Sequence, residues 1–371
     1  MKRFPFPAIV GQQRLKTAYL ANIIDPDIGG LLISGPKGTG KSTIVHSVES
    51  ILPEYDAVAN CPFRCNPSTP QKHCCFCSDL NEFNVTRYPT RIVTLPLSST
   101  EDRLIGSVNV EKLLKEGIKD IQPGILGEAN RNILYIDEVN LLPDHLVDDI
   151  LDAAASHWNS IEREGVSFRH PSEFILVGTM NPEEGELRPQ ILDRFPLCVR
   201  VQSVTEPELR VEIIKRNQMF TKNADALLGI FENEIQLLKN LIVDSRDLLT
   251  HVITDNAYLY AIARSCSDLK VDGQRPDIVI NRTSQAIAAL FQRKIVQPED
   301  VLLSAELALA HRTRDGGLLA PPTEDEIISI FKKHLSRIDR SNESESDSSE
   351  KPDKMLEHFD PIERYRESNH T

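Results

Sequence analysis

The chain has 371 residues, 40% of them hydrophobic and 26% charged, which is long enough for two domains with real cores. Its net charge of −13, from 42 basic and 55 acidic residues, argues against a general electrostatic hold on nucleic acid or anionic lipid. No apolar run approaches the ~20 residues a membrane span needs. No apolar core follows the basic pair of "MKRFPFPAIVGQQ", so a secretion signal is not expected. Seven cysteines without such a signal point to reduced thiols in the cytoplasm.

In chain order, an opening segment carries a helix around Gln12–Ile24. "GGLLISG" (Gly29–Gly35) is a short apolar run ended by glycine, the pattern of a buried strand, and Lys41–Leu52 follows as a helix. Residues 53–91, rich in Pro, Cys, Asn and Ser, form an insertion. Further strands are expected at Arg91–Leu97, Asn132–Val139, Glu173–Asn181 and Leu197–Val201, with a helix at Asp144–Trp158. Apolar strands alternating with helices predict an α/β fold, a parallel sheet flanked by helices. From Thr205 the pattern turns helical, at 206–219, 225–249, 254–267, 274–294 and 298–313. The expected domains are therefore a nucleotide-binding domain over 1–204, a helical lid over 205–338 and a disordered acidic tail over 339–371. Residues 341–371 hold nine acidic and four basic side chains and no apolar periodicity, too little apolar surface to offset the entropy of ordering.

"GPKGTGKS" fits the P-loop pattern G-x-x-x-x-G-K-S and lies between a strand and a helix, as that motif requires. Gly35, Pro36, Lys37, Gly38, Thr39 and Gly40 form the loop, whose backbone N–H groups, present on every residue but the proline, wrap phosphates at a helix N-terminus. Lys41 brings a charge to the β- and γ-phosphates, Ser42 offers a hydroxyl to Mg²⁺, and Thr43 continues the helix. "ILYIDE" ends a buried strand on Asp137, a Mg²⁺ ligand through water, and Glu138, a base for the attacking water. Open α/β sheets bind ligands at the carboxyl ends of strands, which is where this acidic pair falls. "LVGTMNP" ends a third strand on Asn181, whose amide can orient that water. "LRPQILDRF" carries Arg188 and Arg194, two arginines close after that strand that suit a finger aimed at a neighbouring subunit's nucleotide. Arg275, opening an apolar helix, suits a second γ-phosphate sensor. ATP and Mg²⁺ are the expected cofactors.

These features together resemble the AAA+ family. The stretches "FPAIVGQ", "LPLSSTEDRLIGSVNVEKLL", "PGILGEANRNILYIDEVNLLPDHLVDDILDAA", "EREGVSFRHPSEFILVGTMNPEEGELRPQILDRF" and "DGQRPDI" are similar to subunit I of magnesium chelatase, over about residues 4–315. That resemblance implies a P-loop AAA+ core, an all-helical lid and a ring, expected as a hexamer. It implies a D-type partner with an integrin-like domain and a large porphyrin-binding H-type partner. It implies an ATP-driven motor for metal insertion into a tetrapyrrole. The family's P-loop lysine falls on Lys41, its acidic pair on Asp137 and Glu138, its sensor on Asn181, its finger on Arg194 and its second sensor on Arg275. Its hairpin insertions fall near Leu97–Ala129 and Ser160–Pro171. A MoxR-like chaperone remodelling a partner with a metal-binding adhesion domain would share the ATPase motifs, but not the block at Leu95–Leu114. A helicase motor is disfavoured by the acidic charge.

The insertion holds Cys61, Cys65, Cys74, Cys75 and Cys77 in the spacing C-x3-C-x8-C-C-x-C, with His73 beside them. The photosynthetic members do not carry five thiols here. A structural Zn²⁺, an iron–sulfur cluster, a redox pair and plain loop cysteines are all open readings of this spacing. Cys198 and Cys266 lie in apolar settings and read as core.

Overall fold

The computed structural model describes residues 2–78, 82–108, 121–163, 166–185 and 187–339. The expected acidic tail, from residue 340 on, lies outside the described residues. The strands are β1 (Gly30–Ser34), β2 (Glu54–Val58), β3 (Val85–Pro89), β4 (Ile92–Leu95), β5 (Gly106–Val108), β6 (Ile121–Pro123), β7 (Ile133–Ile136), β8 (Trp158–Arg163), β9 (Val166–Pro171), β10 (Ile175–Met180) and β11 (Leu197–Arg200). The fold is α/β: a five-stranded parallel sheet of β1, β4, β7, β10 and β11, flanked by helices, with a helical lid in the C-terminal half. The chain divides into two compact units, one of residues 1–39 with 187–371 and one of residues 40–186.

In the unit of residues 40–186, β7 pairs in parallel with β4 on one side and β10 on the other, with Tyr135 opposite Thr94 and Val177. Every residue of β7 and β10 is buried, as the sequence's unbroken apolar runs predict for a strand covered on both faces. The helix Lys41–Ser47 is shorter than expected: its last turn tightens into a 3₁₀ segment at Val48–Ser50. The insertion begins and ends as an antiparallel hairpin of β2 and β3. Two further antiparallel hairpins, β5–β6 and β8–β9, stand where the family's insertions were expected.

The two strands of the β5–β6 hairpin are packed backbone to backbone at its root. A methyl group on Gly124 would meet Gly106 N at 2.3 Å and Leu104 O at 2.3 Å, so no side chain fits there. The carboxamide of Asn159, at the start of β8, donates to Ile105 O at 2.8 Å and ties the second hairpin to the first.

In the other unit, β1 pairs in parallel with β11, Leu32 opposite Cys198. Cys198 and Cys266 are both buried, as expected for core thiols. The apolar helices Arg275–Leu290 and Pro298–Leu309 supply about half of the lid core. Gln297 and Asp300 close a capping box on the second, and Arg293 grips Asp300 through two bonds of 2.7 and 2.6 Å. The stretch expected as one helix over 225–249 is two, Ala224–Ile230 and Glu232–Leu249, because the chain leaves helical geometry at Phe231. A last helix, Glu324–Asp339, seats Ile327, Phe331 and Leu335 in the core beyond the last helix read from the sequence.

The backbone contact at Gly124 makes a test. Gly124→Ala should cost about 2 kcal/mol or more, as forced overpacking does. A thermal-unfolding midpoint lowered by roughly 4–8 °C is expected; an unchanged midpoint would show that the hairpin roots yield freely.

Candidate functional site

The P-loop turns on two glycines with left-handed backbone, Gly38 (φ 80°) and Gly40 (φ 78°), the latter capping the helix that opens with Lys41 and Ser42. The helix amides at this N-terminus face the position of a phosphate. Ser42 Oγ donates to Asp137 at 3.4 Å, so the P-loop hydroxyl and the strand-end carboxylate meet as the motifs predict.

Asp137 follows directly on β7, and two buried residues hold it. Tyr135 donates its phenol to Oδ1 at 2.7 Å, and Thr179 of β10 donates its hydroxyl to the same oxygen at 2.6 Å. Burial pushes the Tyr135 phenol well above its usual range, so it stays a donor. Thr179 also accepts from the Glu138 backbone N–H at 3.2 Å. Glu138 takes a left-handed conformation (φ 55°, ψ 55°), unusual for a non-glycine residue, at the point where the chain leaves the sheet. Asn181, buried at the end of β10, accepts from Glu183 N–H at 3.3 Å through Oδ1, which fixes the plane of its amide. Asp137 and Ser42 present hard oxygen donors, the set Mg²⁺ prefers. Tyr135 and Thr179 were not singled out in the sequence. Their signal was available: a hydroxyl two residues before each strand-end polar group, Asp137 and Asn181.

Arg194 and Arg275 belong to the other unit, and both are exposed. Partial desolvation, and then the charge of Arg194, hold Arg275 below its ordinary range, so the two guanidiniums stand close enough to repel. The segment bearing Arg194 is clamped from behind. The buried Arg312 donates to the carbonyls of Asp193, Pro196 and Ala308. Thr313 donates its N–H (3.0 Å) and hydroxyl (2.5 Å) to the Asp193 carboxylate. His311, its pKa driven down to about 3 by burial, is neutral and bonds Phe195 O at 2.8 Å. Burial and the charge of Arg275 lower Arg312 to about 10. No sequence motif pointed to His311, Arg312 or Thr313, because their partners lie more than a hundred residues away.

Of the five clustered cysteines, four come together. The sulfurs of Cys61, Cys65, Cys74 and Cys77 lie within 4.8 Å of one another, and all four residues are buried. Cys75 is half-buried and stands outside this group. The His73 ring nitrogen Nε2 is taken by Asn66 O at 2.9 Å.

A family model for magnesium chelatase, subunit ChlI, matches residues 6–190, and one for an AAA lid domain matches residues 259–330. A magnesium-chelatase subunit ChlI homolog from Methanocaldococcus jannaschii is 48% identical over 341 residues, 90% of this chain and 93% of that one. Magnesium-chelatase subunit ChlI from Synechocystis sp. is 44% identical over 342 residues, 91% of this chain and 96% of that one. A solved assembly of subunits BchI and BchD of magnesium chelatase contains a chain 40% identical, with a TM-score of 0.51, covering 88% of this chain and all of that one.

Thr179→Val keeps the shape of the side chain and removes its bond to Asp137. Loss of such a supporting partner typically costs 10–100-fold in metal affinity. The Mg²⁺ concentration giving half-maximal ATP hydrolysis should rise by roughly that factor, and an unchanged Mg²⁺ titration would show that Thr179 does not hold Asp137. With a P-loop and a strand-end acidic pair joined in one site, and likeness running over nine-tenths of its length, the chain belongs to the magnesium chelatase subunit ChlI family of AAA+ ATPases.

Proposed function

We propose that this chain is the ATP-hydrolysing motor of a magnesium-chelatase-type complex, acting as a ring and driving metal-ion insertion into a tetrapyrrole held by a partner subunit. The observation that carries the hydrolytic part is the bond from Ser42 to Asp137 with Glu138 next in the chain. The chelatase part rests on the whole-chain likeness and on the BchI–BchD assembly, which also supports a D-type partner for this chain. That likeness favours this reading over a MoxR-like chaperone. A large porphyrin-binding subunit would hold the macrocycle.

In this reading each residue has one task. The loop Gly35, Pro36, Lys37, Gly38, Thr39 and Gly40 wraps the phosphates, with backbone N–H groups from every residue but Pro36, and Thr43 extends the helix whose N-terminus they face. Lys41 neutralises the β- and γ-phosphates. Ser42 and Asp137 hold Mg²⁺, which when bound neutralises charge on the β- and γ-phosphoryl oxygens. Glu138 takes the proton of the attacking water, and the Asn181 amide orients that water. Arg275 senses the γ-phosphate. Arg194 reaches the nucleotide of the neighbouring subunit. The helix Pro207–Lys222 buries none of its residues and exposes Leu209, Val211, Ile213 and Ile214, apolar side chains spread around its surface and suited to burial within such a ring. No helix among the described residues is long and apolar enough to cross a membrane.

Two experiments check the assignments. Glu138→Gln keeps the shape of the pocket and removes the base, so ATP should bind with unchanged affinity while hydrolysis falls by roughly 10²–10⁴-fold. Hydrolysis at the normal rate would mean that another group activates the water. The second experiment mixes two dead variants. Lys41→Ala spoils its own pocket, and Arg194→Ala spoils the finger offered to the next chain, a group worth about 10³–10⁵ in rate in P-loop enzymes. Mixed rings pair an intact pocket with an intact finger at some interfaces, so hydrolysis should partly recover. Mixed rings that form, seen by native mass, yet stay inactive at every ratio would show that Arg194 does not act between chains.

A further inference from the structure

The cysteine insertion takes no part in the hydrolysis just described, yet it is the most ordered use of thiols in the chain. Four sulfurs converge in a dry pocket. Cys61 Sγ and Cys74 Sγ are 3.6 Å apart, and Cys74 Sγ and Cys77 Sγ are 3.8 Å apart. A tetrahedral ion with metal–sulfur bonds of about 2.3 Å has sulfur–sulfur edges of about 3.8 Å. A disulfide needs about 2.05 Å, so none of these contacts is a bond. Thiols that ligate different irons of a cluster stand around the whole cluster and lie further apart than thiols sharing one ion.

The backbone supports the same count. The gathered set reads C-x3-C and C-x2-C, both within the ligand spacing of structural zinc sites. Cys75 had hidden the second pair by standing inside it. Each pair closes a tight turn: Arg64 N–H donates to Cys61 O at 3.1 Å, and Cys77 N–H donates to Cys74 O at 2.9 Å. Cys74 N–H donates to Cys65 Sγ at 3.3 Å, a bond that favours a thiolate. As ligands the four would lose their protons, and the ion between them would balance the buried charge.

The surroundings show what such an ion would brace. Val58, Phe63, Ile121 of β6 and Ile161 of β8 form one buried cluster with the four cysteines. Phe63 stacks on the His170 ring of β9 at 4.1 Å, its backbone carbonyl accepts from Asn130 Nδ2 at 2.6 Å, and Lys72 pairs with Glu173 at 2.6 Å. The loop therefore lies across the roots of both hairpins.

We infer that Cys61, Cys65, Cys74 and Cys77 bind one structural Zn²⁺ as a four-thiolate site that pins the insertion onto the roots of the β5–β6 and β8–β9 hairpins. Cys75 and His73 are not ligands. The site is independent of nucleotide.

The test uses the full chain, purified without a histidine tag or chelator and analysed for metals by mass spectrometry. About one zinc per chain is expected, released by an organomercurial that caps thiols. Cobalt growth medium should yield protein with the visible bands and intense thiolate charge-transfer absorption of tetrahedral cobalt in sulfur. Cys75→Ser should keep the full metal content, whereas Cys61→Ser should lower it roughly tenfold or more. Protease cleavage within residues 53–91 should quicken on metal release, while ATP analogue binding holds. Metal-free protein with these thiols titrating freely, or joined as disulfides, would overturn the inference. So would iron in place of zinc, or zinc lost with Cys75→Ser. Should Cys61→Ser fail to fold, the metal count and mercurial release on the unmutated chain decide the matter alone.

Discussion

The register between β7 and β10 governs the nucleotide site. Tyr135 lies opposite Val177 and Ile136 opposite Gly178, so the next step along the ladder brings Thr179 beside Asp137. Shifting one strand by a single residue would turn each side chain to the opposite face and set Gly178 or Met180 against the carboxylate. The hydroxyl would then be lost, and with it the bond that also receives the Glu138 amide. Parallel pairing places all the strand ends on one side, so residues distant in sequence are delivered to one edge without any loop having to carry them. The apolar strand interiors secure that register, and the polar ends use it.

Much of this was legible in the sequence because the relevant signals are local. The P-loop is eight consecutive residues, and the acidic pair and Asn181 each directly follow an apolar run. The parallel strands were read to within three residues at each end, since fully buried parallel strands are uninterrupted apolar stretches. Other features are set by tertiary contact and leave little local trace. Arg312 meets Asp193 across 119 residues, and no spacing rule reaches so far. The break at Phe231 interrupts a stretch whose apolar spacing continues through it. The helix Glu324–Asp339 is acidic at its start and polar over much of its surface; its core residues show only once the lid is in place to receive them. The five cysteines announced a cluster, but which four converge depends on two turns that the doubled Cys74–Cys75 obscured.

Chemistry and bracing occupy different parts of the unit formed by residues 40–186. The strand ends hold Asp137, Glu138 and Asn181 and the P-loop helix holds Ser42, while the insertion, Gly106, Gly124 and Asn159 secure the hairpin roots. An insertion rich in proline and cysteine contributes little apolar area of its own. Its order comes from Phe63 and the thiols, which are packed into a core that the hairpins share. The hairpins thereby gain a rigid base without any change to the strands that carry the site.

In the lid-bearing unit, Arg275 feels the charges of Arg194 and Arg312, with Asp193 the carboxylate set among them. Like charges held side by side by a folded scaffold are a compressed spring. An anion entering between them is attracted, and it also relieves the repulsion that the scaffold had been resisting. Arg275 begins the long buried helix Arg275–Leu290, and Arg312 follows the helix Pro298–Leu309, so that relief is felt at the ends of the two most buried helices in the lid. An anion settling there would thus shift the charge balance at the ends of those helices, where Arg312 also ties down the Asp193 segment.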